Sequence, residues 1–233
     1  LRAPHITRTF TNWASEAGGT SLNSYTFQKS FATLLPQAGL RYNFSKEQQV
    51  FANIGKNFRA APNFAFAPTN GNITVTAGVP VLTTQIEPET AIATDIGYRY
   101  QGKAVTASVT FFNVDFKNRQ SNAFDPDTLK NVYTNAGKTT KRGLEFEGGT
   151  ALMGGLSGYL SATVQEDKMK NDLRVSATQV LPTTGKTYTL LPKYMAGASL
   201  QYASGPLYMR LKAKYTGKQW ATLMNDEEVP SYT

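Results

Sequence analysis

The sequence has no cysteine and a single histidine, His5, in 233 residues. Without cysteine there is neither a disulfide scaffold nor a thiolate metal site. Around one histidine no catalytic triad or transition-metal ligand set can be assembled, so no enzyme activity, metal centre or cofactor is expected. Charge is also scarce: Asp, Glu, Lys and Arg make up 17% of the chain, against roughly a quarter in soluble domains. Long apolar runs are missing too. None approaches the ~18 residues of a spanning helix, which excludes an α-helical membrane protein. Leu1 opens without a charged n-region, so no leader, transit peptide or lipid anchor is expected in the sequence as it stands.

Aromatic residues, at 12%, and a net charge of +8 are present instead, and the residues alternate with period two. From Ala91 to Gln101 one set is Ile92, Thr94, Ile96, Tyr98 and Tyr100, and the other contains Asp95 and Arg99. Between Lys193 and Tyr202 the apolar set is Tyr194, Ala196, Ala198, Leu200 and Tyr202. From Leu207 to Thr216 the set Leu207, Met209, Leu211, Ala213 and Tyr215 alternates with Tyr208, Arg210, Lys212 and Lys214. Ala38 to Phe44, Leu144 to Glu147 and Gly158 to Val164 behave alike. Throughout these six segments the apolar set is free of charge. The polar set holds Arg41, Asp95, Arg99, Glu145, Glu147, Lys193, Arg210, Lys212 and Lys214.

A half-wet soluble sheet and a barrel in lipid both alternate, and strand length separates them. Soluble strands average about five or six residues, whereas membrane-spanning strands need about nine to eleven. Tyr194 and Tyr202 stand eight residues apart on one face. At ~3.3 Å per residue and a tilt near ~40° they bracket roughly 20 Å of membrane, each at a depth that suits an amphipathic ring. Connections alternate as well. Those at Ser45–Gln48, Gln101–Lys103, Ala151–Leu156 and Ala203–Pro206 are short, and those at Asn57–Pro88, Lys117–Gly137, Asp167–Leu191 and from Gly217 are long. Short turns on one rim and long loops on the other are the habit of outer-membrane barrels. The pattern predicts an all-β, antiparallel transmembrane barrel, here an incomplete section of about nine strands. From Ala104 to Phe116 the apolar set shifts from Val105, Ala107, Val109 and Phe111 to Phe112, Val114 and Phe116, and a bulge near Phe111 is expected.

Five stretches, in order, resemble one family: Leu34–Tyr42; Gly55-Lys56-Asn57-Phe58-Arg59-Ala60-Ala61-Pro62; Glu87-Pro88-Glu89-Thr90 with Asp95-Ile96-Gly97-Tyr98; Asn135-Ala136-Gly137 with Gly143-Leu144-Glu145-Phe146-Glu147; and Val229–Thr233. They look like the barrel of TonB-dependent outer-membrane receptors. The resemblance implies a barrel of about 22 strands, plugged by the receptor's own N-terminal domain. It also implies active import of a scarce nutrient, a ferric siderophore or similar metal chelate, energised through TonB. Residues 1–233 are expected to be a section of that barrel domain, and the sequence a piece of a longer chain without plug or terminal strands. Haem receptors carry similar Phe-Arg-Ala-Pro wording, but the extra alanine at Ala61 and the lack of any histidine beyond His5 argue against haem.

The alternative function is a passive porin with a basic lumen. The stripe Arg210, Lys212 and Lys214 could suit nucleic acid, but its opposite face is purely apolar, so lumen lining is expected and no nucleic-acid partner. Glu145 and Glu147 read as lumen charges rather than a catalytic pair. Asp226-Glu227-Glu228 reads as a solvated loop, since it lacks the alternate spacing of a calcium loop. On the long-loop side Phe58, Arg59, Phe64, Phe66, Arg119, Tyr133 and Trp220 are the candidate ligand contacts, because rings and guanidinium groups hold planar or anionic chelates. For Arg59 a loop-anchoring role is the competing expectation, and for Phe64 and Phe66 a small loop core.

Overall fold

In the computed structural model the described residues are 2–12, 25–67, 72–76, 79–82, 86–125, 129–175 and 178–233. Strands dominate them, as period-two alternation requires. In chain order they are β1 (His5–Asn12), β2 (Tyr25–Ala32), β3 (Gln37–Asn43), β4 (Gln48–Arg59), β5 (Ile73–Thr76), β6 (Val79–Leu82), β7 (Glu89–Gln101), β8 (Val105–Lys117) and β9 (Gln120–Asp125). There follow β10 (Lys130–Asn135), β11 (Thr139–Ala151), β12 (Leu156–Met169), β13 (Leu173–Arg174), β14 (Val180–Leu181), β15 (Tyr194–Ser204), β16 (Leu207–Thr216), β17 (Gln219–Trp220) and β18 (Glu228–Val229).

Eight of these form one antiparallel sheet in the order β16-β15-β12-β11-β8-β7-β4-β3. It is a meander in which each long strand pairs with its neighbours in sequence, and it is open at β3 and β16. The short turns expected at 45–48, 101–103, 151–156 and 203–206 all lie at one end of this sheet. At the other end the long connections carry hairpins of their own, β5–β6, β9–β10, β13–β14 and β17–β18, while β1–β2 stands beyond β3. The section of about nine strands is seen as eight long strands in this sheet, with Tyr232 pairing to Thr216 beside β16 through Tyr232 N–H to Thr216 O (3.0 Å) and the reciprocal bond (2.9 Å).

Register turns the alternation into two whole faces. Partners directly opposite share a side of the pleat. Leu40, Ala52, Ile96, Phe111, Leu144, Val164 and Tyr194 therefore form one lateral row. Tyr42, Val50, Tyr98, Val109, Phe146, Ala162, Ala196 and Tyr215 form the next. Leu40 and Leu211 are each 73% exposed. A soluble sheet would not leave such a face bare to water, whereas a barrel wall turns it to lipid. All of Ile96, Tyr98, Phe146, Leu200 and Leu211 lie on this face, and Arg99, Glu145 and Arg210 on the other.

The bulge expected near Phe111 is absent. β8 pairs without a break from Thr106 to Lys117 against β7 and from Val105 to Phe116 against β11. Phe112, Val114 and Phe116 simply occupy the polar side of the pleat. Room for the ring comes from glycine: a Cβ on Gly143 would lie 2.7 Å from Phe112 Cζ and 2.4 Å from Val164 O. Phe51 similarly covers Gly97, where a Cβ would come within 2.4 Å of its Cζ. Because one obstacle at Gly143 is backbone, Gly143→Ala is expected to cost about 1–3 kcal/mol. A chemical-denaturation midpoint for the refolded barrel unchanged from the parent would contradict it.

Candidate functional site

The long-loop end holds nearly all of the buried apolar residues. In one core Tyr25, Phe31, Ala60, Ala61, Ala65, Phe66, Ile73, Ile86 and Tyr133 pack together, drawing on β2, the β4–β7 connection and β10. A second comprises Ala136, Met169, Leu173 and Val175, flanked by Leu181, Tyr188 and Leu223. The described parts of the long connections thus have buried interiors of their own.

Between the two cores runs a polar network. β4 ends at Arg59, whose Nη2 donates to Glu89 Oε2 (3.1 Å) and whose Nε donates to Gln120 Oε1 (3.2 Å). Glu89 also accepts from Gln120 N–H (2.8 Å), and the Tyr133 hydroxyl donates to Gln120 Oε1 (2.7 Å). Burial pushes the Tyr133 phenol above its ordinary range, opposed by the Arg59 charge. Tyr188 Oη reaches Gln120 O (3.2 Å), so Gln120 links both cores. Arg119 is a second node. Its guanidinium lies between the rings of Phe116 (3.9 Å) and Tyr188 (4.1 Å) and donates to Thr139 Oγ1 and Asp167 Oδ2, both at 2.9 Å.

The sequence-predicted loop residues therefore fall into two groups. Phe66 and Tyr133 are buried, Arg119 is engaged on four sides, and Phe58 packs half-buried against the first core. Phe64 is 50% exposed and meets Tyr133 edge-on at 5.2 Å. Arg59 keeps more than half of its side chain exposed while paired to Glu89. Trp220 is half-buried in the β17–β18 hairpin, opposite Glu228. Glu228 pairs with Lys218 (3.0 Å) and Asp226 with Thr222. Sequence reasoning missed Glu89, Gln120, Asp167 and Tyr188. Only Glu89 carried a signal, as part of Glu87-Pro88-Glu89-Thr90.

On the sheet's polar face Arg41, Asp95, Arg99, Glu145, Glu147, Arg210, Lys212 and Lys214 share one side of the pleat. Arg41 stands in the row Phe51, Gly97, Thr110, Glu145, Thr163, and Glu147 in the row Arg99, Ser108, Ser161, Gly197, Lys214. Arg99 lies over the Phe51 ring (5.4 Å). Lys193 sits one residue ahead of β15, its ammonium over the Tyr194 ring (5.3 Å). Among the described residues no group of three or more His, Asp or Glu could hold a metal ion.

The family model described as TonB dependent receptor-like, beta-barrel, matches residues 1–233. A ferrioxamine receptor of Yersinia enterocolitica is 30% identical over 150 residues, which are 64% of this chain and 20% of that protein. The siderophore receptor PiuA of Acinetobacter baumannii superposes with a TM-score of 0.67 at 15% identity, over 95% of this chain and 31% of its own. The ferric yersiniabactin uptake receptor FyuA of Yersinia pestis gives 0.63 at 18% identity, over 90% and 30%. The chain thus spans about a fifth of the curated relative and about three tenths of the solved receptors.

Proposed function

The chain belongs to the TonB-dependent receptor β-barrel family of the Gram-negative outer membrane, and on that premise we propose that it forms part of a receptor that actively imports an iron chelate, a ferric siderophore of the ferrioxamine kind. The observation that carries this is the whole-length family match, joined to a relative named for ferrioxamine at 30% identity. The geometry supports it in two ways. An eight-stranded open sheet leaves β3 and β16 with unpaired backbone edges, which lipid does not tolerate, so further barrel strands complete the wall. The loops at one end are prefolded on buried cores and present a ring and a guanidinium outward, the means by which planar or anionic chelates are held.

In this reading Phe64 and Arg59 face the external vestibule, with Trp220 at its rim. Phe58, Phe66, Tyr133 and Arg119 hold those loops from beneath. The face carrying Arg41, Asp95, Arg99, Glu145, Glu147, Arg210, Lys212 and Lys214 lines the lumen toward the receptor's plug domain, and energy arrives through TonB. In a strain deleted for the intact gene, uptake of radiolabelled iron as ferrioxamine is expected to disappear, and likewise in a strain lacking TonB. Uptake that persists without TonB and rises linearly with concentration would mark a passive channel and overturn the proposal. Phe64→Ala in the full receptor is expected to weaken chelate binding on the order of tenfold, equivalent to roughly 1.4 kcal/mol. It is a cleaner probe than Arg59→Ala, which also strips the nearly buried Glu89 of its partner. Unchanged affinity in both variants, with the barrel still folded, would remove these residues from the site.

A further inference from the structure

One pair of cations at the loop end has no counter-charge. Register sets Arg8 of β1 directly opposite Lys29 of β2. Both lie on the side of the hairpin that also carries Ile6, Phe10, Phe27 and Phe31 and packs against the first core. Both are half-buried. Like charges directly opposite each other destabilise a strand pair, and partial burial leaves their repulsion less screened than it is in open water. Yet each is held in place. Arg8 Nε donates to Ala61 O (3.2 Å), and Lys29 Nζ lies over the Phe31 ring, 5.7 Å from its centroid. Neither belongs to an ion pair among the described residues. The Nη1 and Nη2 donors of Arg8 and the ammonium protons of Lys29 have no acceptor among those residues either.

The pair borders the candidate ligand contacts. Ala61 stands between Arg59 and Phe64 in the sequence, and β1 lies against the turn Asn63–Phe66 that carries Phe64. Glu89, the carboxylate at this place, is already engaged by Arg59 and by Gln120 N–H. In a ferric hydroxamate core the hydroxamate charges cancel that of the ferric ion, so the net charge of such a chelate resides on its arm. We infer that Arg8 and Lys29 form a subsite for a carboxylate-bearing arm of the iron chelate, so that the receptor selects a negatively charged chelate over a positively charged one. One carboxylate answers both cations. The guanidinium takes its two oxygens side by side through Nη1 and Nη2, and the lysine adds a further charge-assisted bond. Because a carbonyl and a ring fix the two cations beforehand, little side-chain freedom is lost when the arm docks. The subsite rests on the iron-chelate reading of the cargo and adds to it the chemistry of the arm.

The test titrates the full-length receptor, purified in mild detergent, with ferric complexes that differ only at the arm, and reads binding by quenching of intrinsic fluorescence. The probes are ferrioxamine B, whose arm ends in an ammonium, and its N-acetyl and N-succinyl derivatives, which are neutral and anionic at the same place. The N-succinyl form is expected to bind about tenfold more tightly than the N-acetyl form, and the ammonium form more weakly than either. In R8Q/K29Q the succinyl-to-acetyl ratio should fall to about one, and in R8K/K29R, which keeps both charges, most of it should remain. K29Q alone, which removes no hydrogen bond among the described residues, should lower the ratio part-way. Equal affinity of the three complexes for the parent, or a ratio that survives R8Q/K29Q, would overturn the subsite and leave the cargo standing. Should R8Q/K29Q bind no form at all, K29Q decides, and an undiminished ratio there overturns the subsite. Failure of every form to bind the parent would overturn the cargo and the subsite together.

Discussion

Leu211→Arg is expected to lower the stability of the folded barrel by about 1–2 kcal/mol, between the cost at the midplane and at the interface, while Lys212→Gln, its neighbour in sequence, changes it by about 0.5 kcal/mol or less. The two differ because the pleat sends them to opposite media. Leu211 lies opposite Leu200, with Met209 and Ala213 along its own strand and Tyr202 and Tyr194 marking the rims of the apolar band. A guanidinium there meets hydrocarbon and must snorkel past the Tyr202–Met209 row, two residues along the strand, to reach water. Lys212 lies opposite Ser199 and in line with Tyr159, among Arg210, Lys214 and Gln201, a wet polar face where losing one of several cations costs little. The full-length receptor refolded in detergent or lipid gives the measurement through heat-modifiable electrophoretic mobility and a guanidinium midpoint. Equal losses for both substitutions would refute the assignment of faces.

Those faces were legible in the sequence because β-structure encodes sidedness locally. Residues two apart share a side, so Leu207 through Tyr215 declared a whole wall strand without reference to any other. Alternation misled only where its polar set turned aromatic. Phe112, Val114 and Phe116 read as a change of phase, yet register is continuous and Gly143 supplies the space that lets the Phe112 ring lie over it on the polar side. The same local rule does not report where a wall leaves the lipid. Arg142, Glu166 and Lys168 sit on the lipid side of strands whose apolar positions end at Leu144 and Val164, a boundary that emerges only when neighbouring strands are aligned.

The loop end was far less legible. Arg59 and Glu89 are 30 residues apart, and Arg119 and Asp167 48 apart. Pairings over such distances are set by how connections fold back on one another, and nothing in the flanking residues announces them. The hairpins β13–β14 and β17–β18, with two residues in each strand, are too short for alternation to register and are held by the cores beneath them.

Arg119→Ala is expected to produce the largest loss of the loop end, about 3–5 kcal/mol of local stability, by leaving Asp167 charged and unpaired in the interior. Asp167 is fully buried. Its Oδ2 accepts from Arg119 at 2.9 Å, and its Oδ1 has no partner, so the guanidinium is the chief compensation for that charge. The same guanidinium fills the space between Phe116 and Tyr188, and the Tyr188 N–H donates to Asp167 O (3.0 Å), so the segment around residue 188 depends on it twice. Arg119→Lys keeps a charge but loses the planar fork and the stacking, and an intermediate loss is expected. Hydrogen exchange on the full receptor should then quicken in residues 167–175 and 178–190 while β15 and β16 stay protected. Asp167→Ala added to Arg119→Ala should recover part of the protection, since it removes the stranded carboxylate. A double variant no better protected than Arg119→Ala would mean that the two rings, and not the buried charge, make Arg119 necessary.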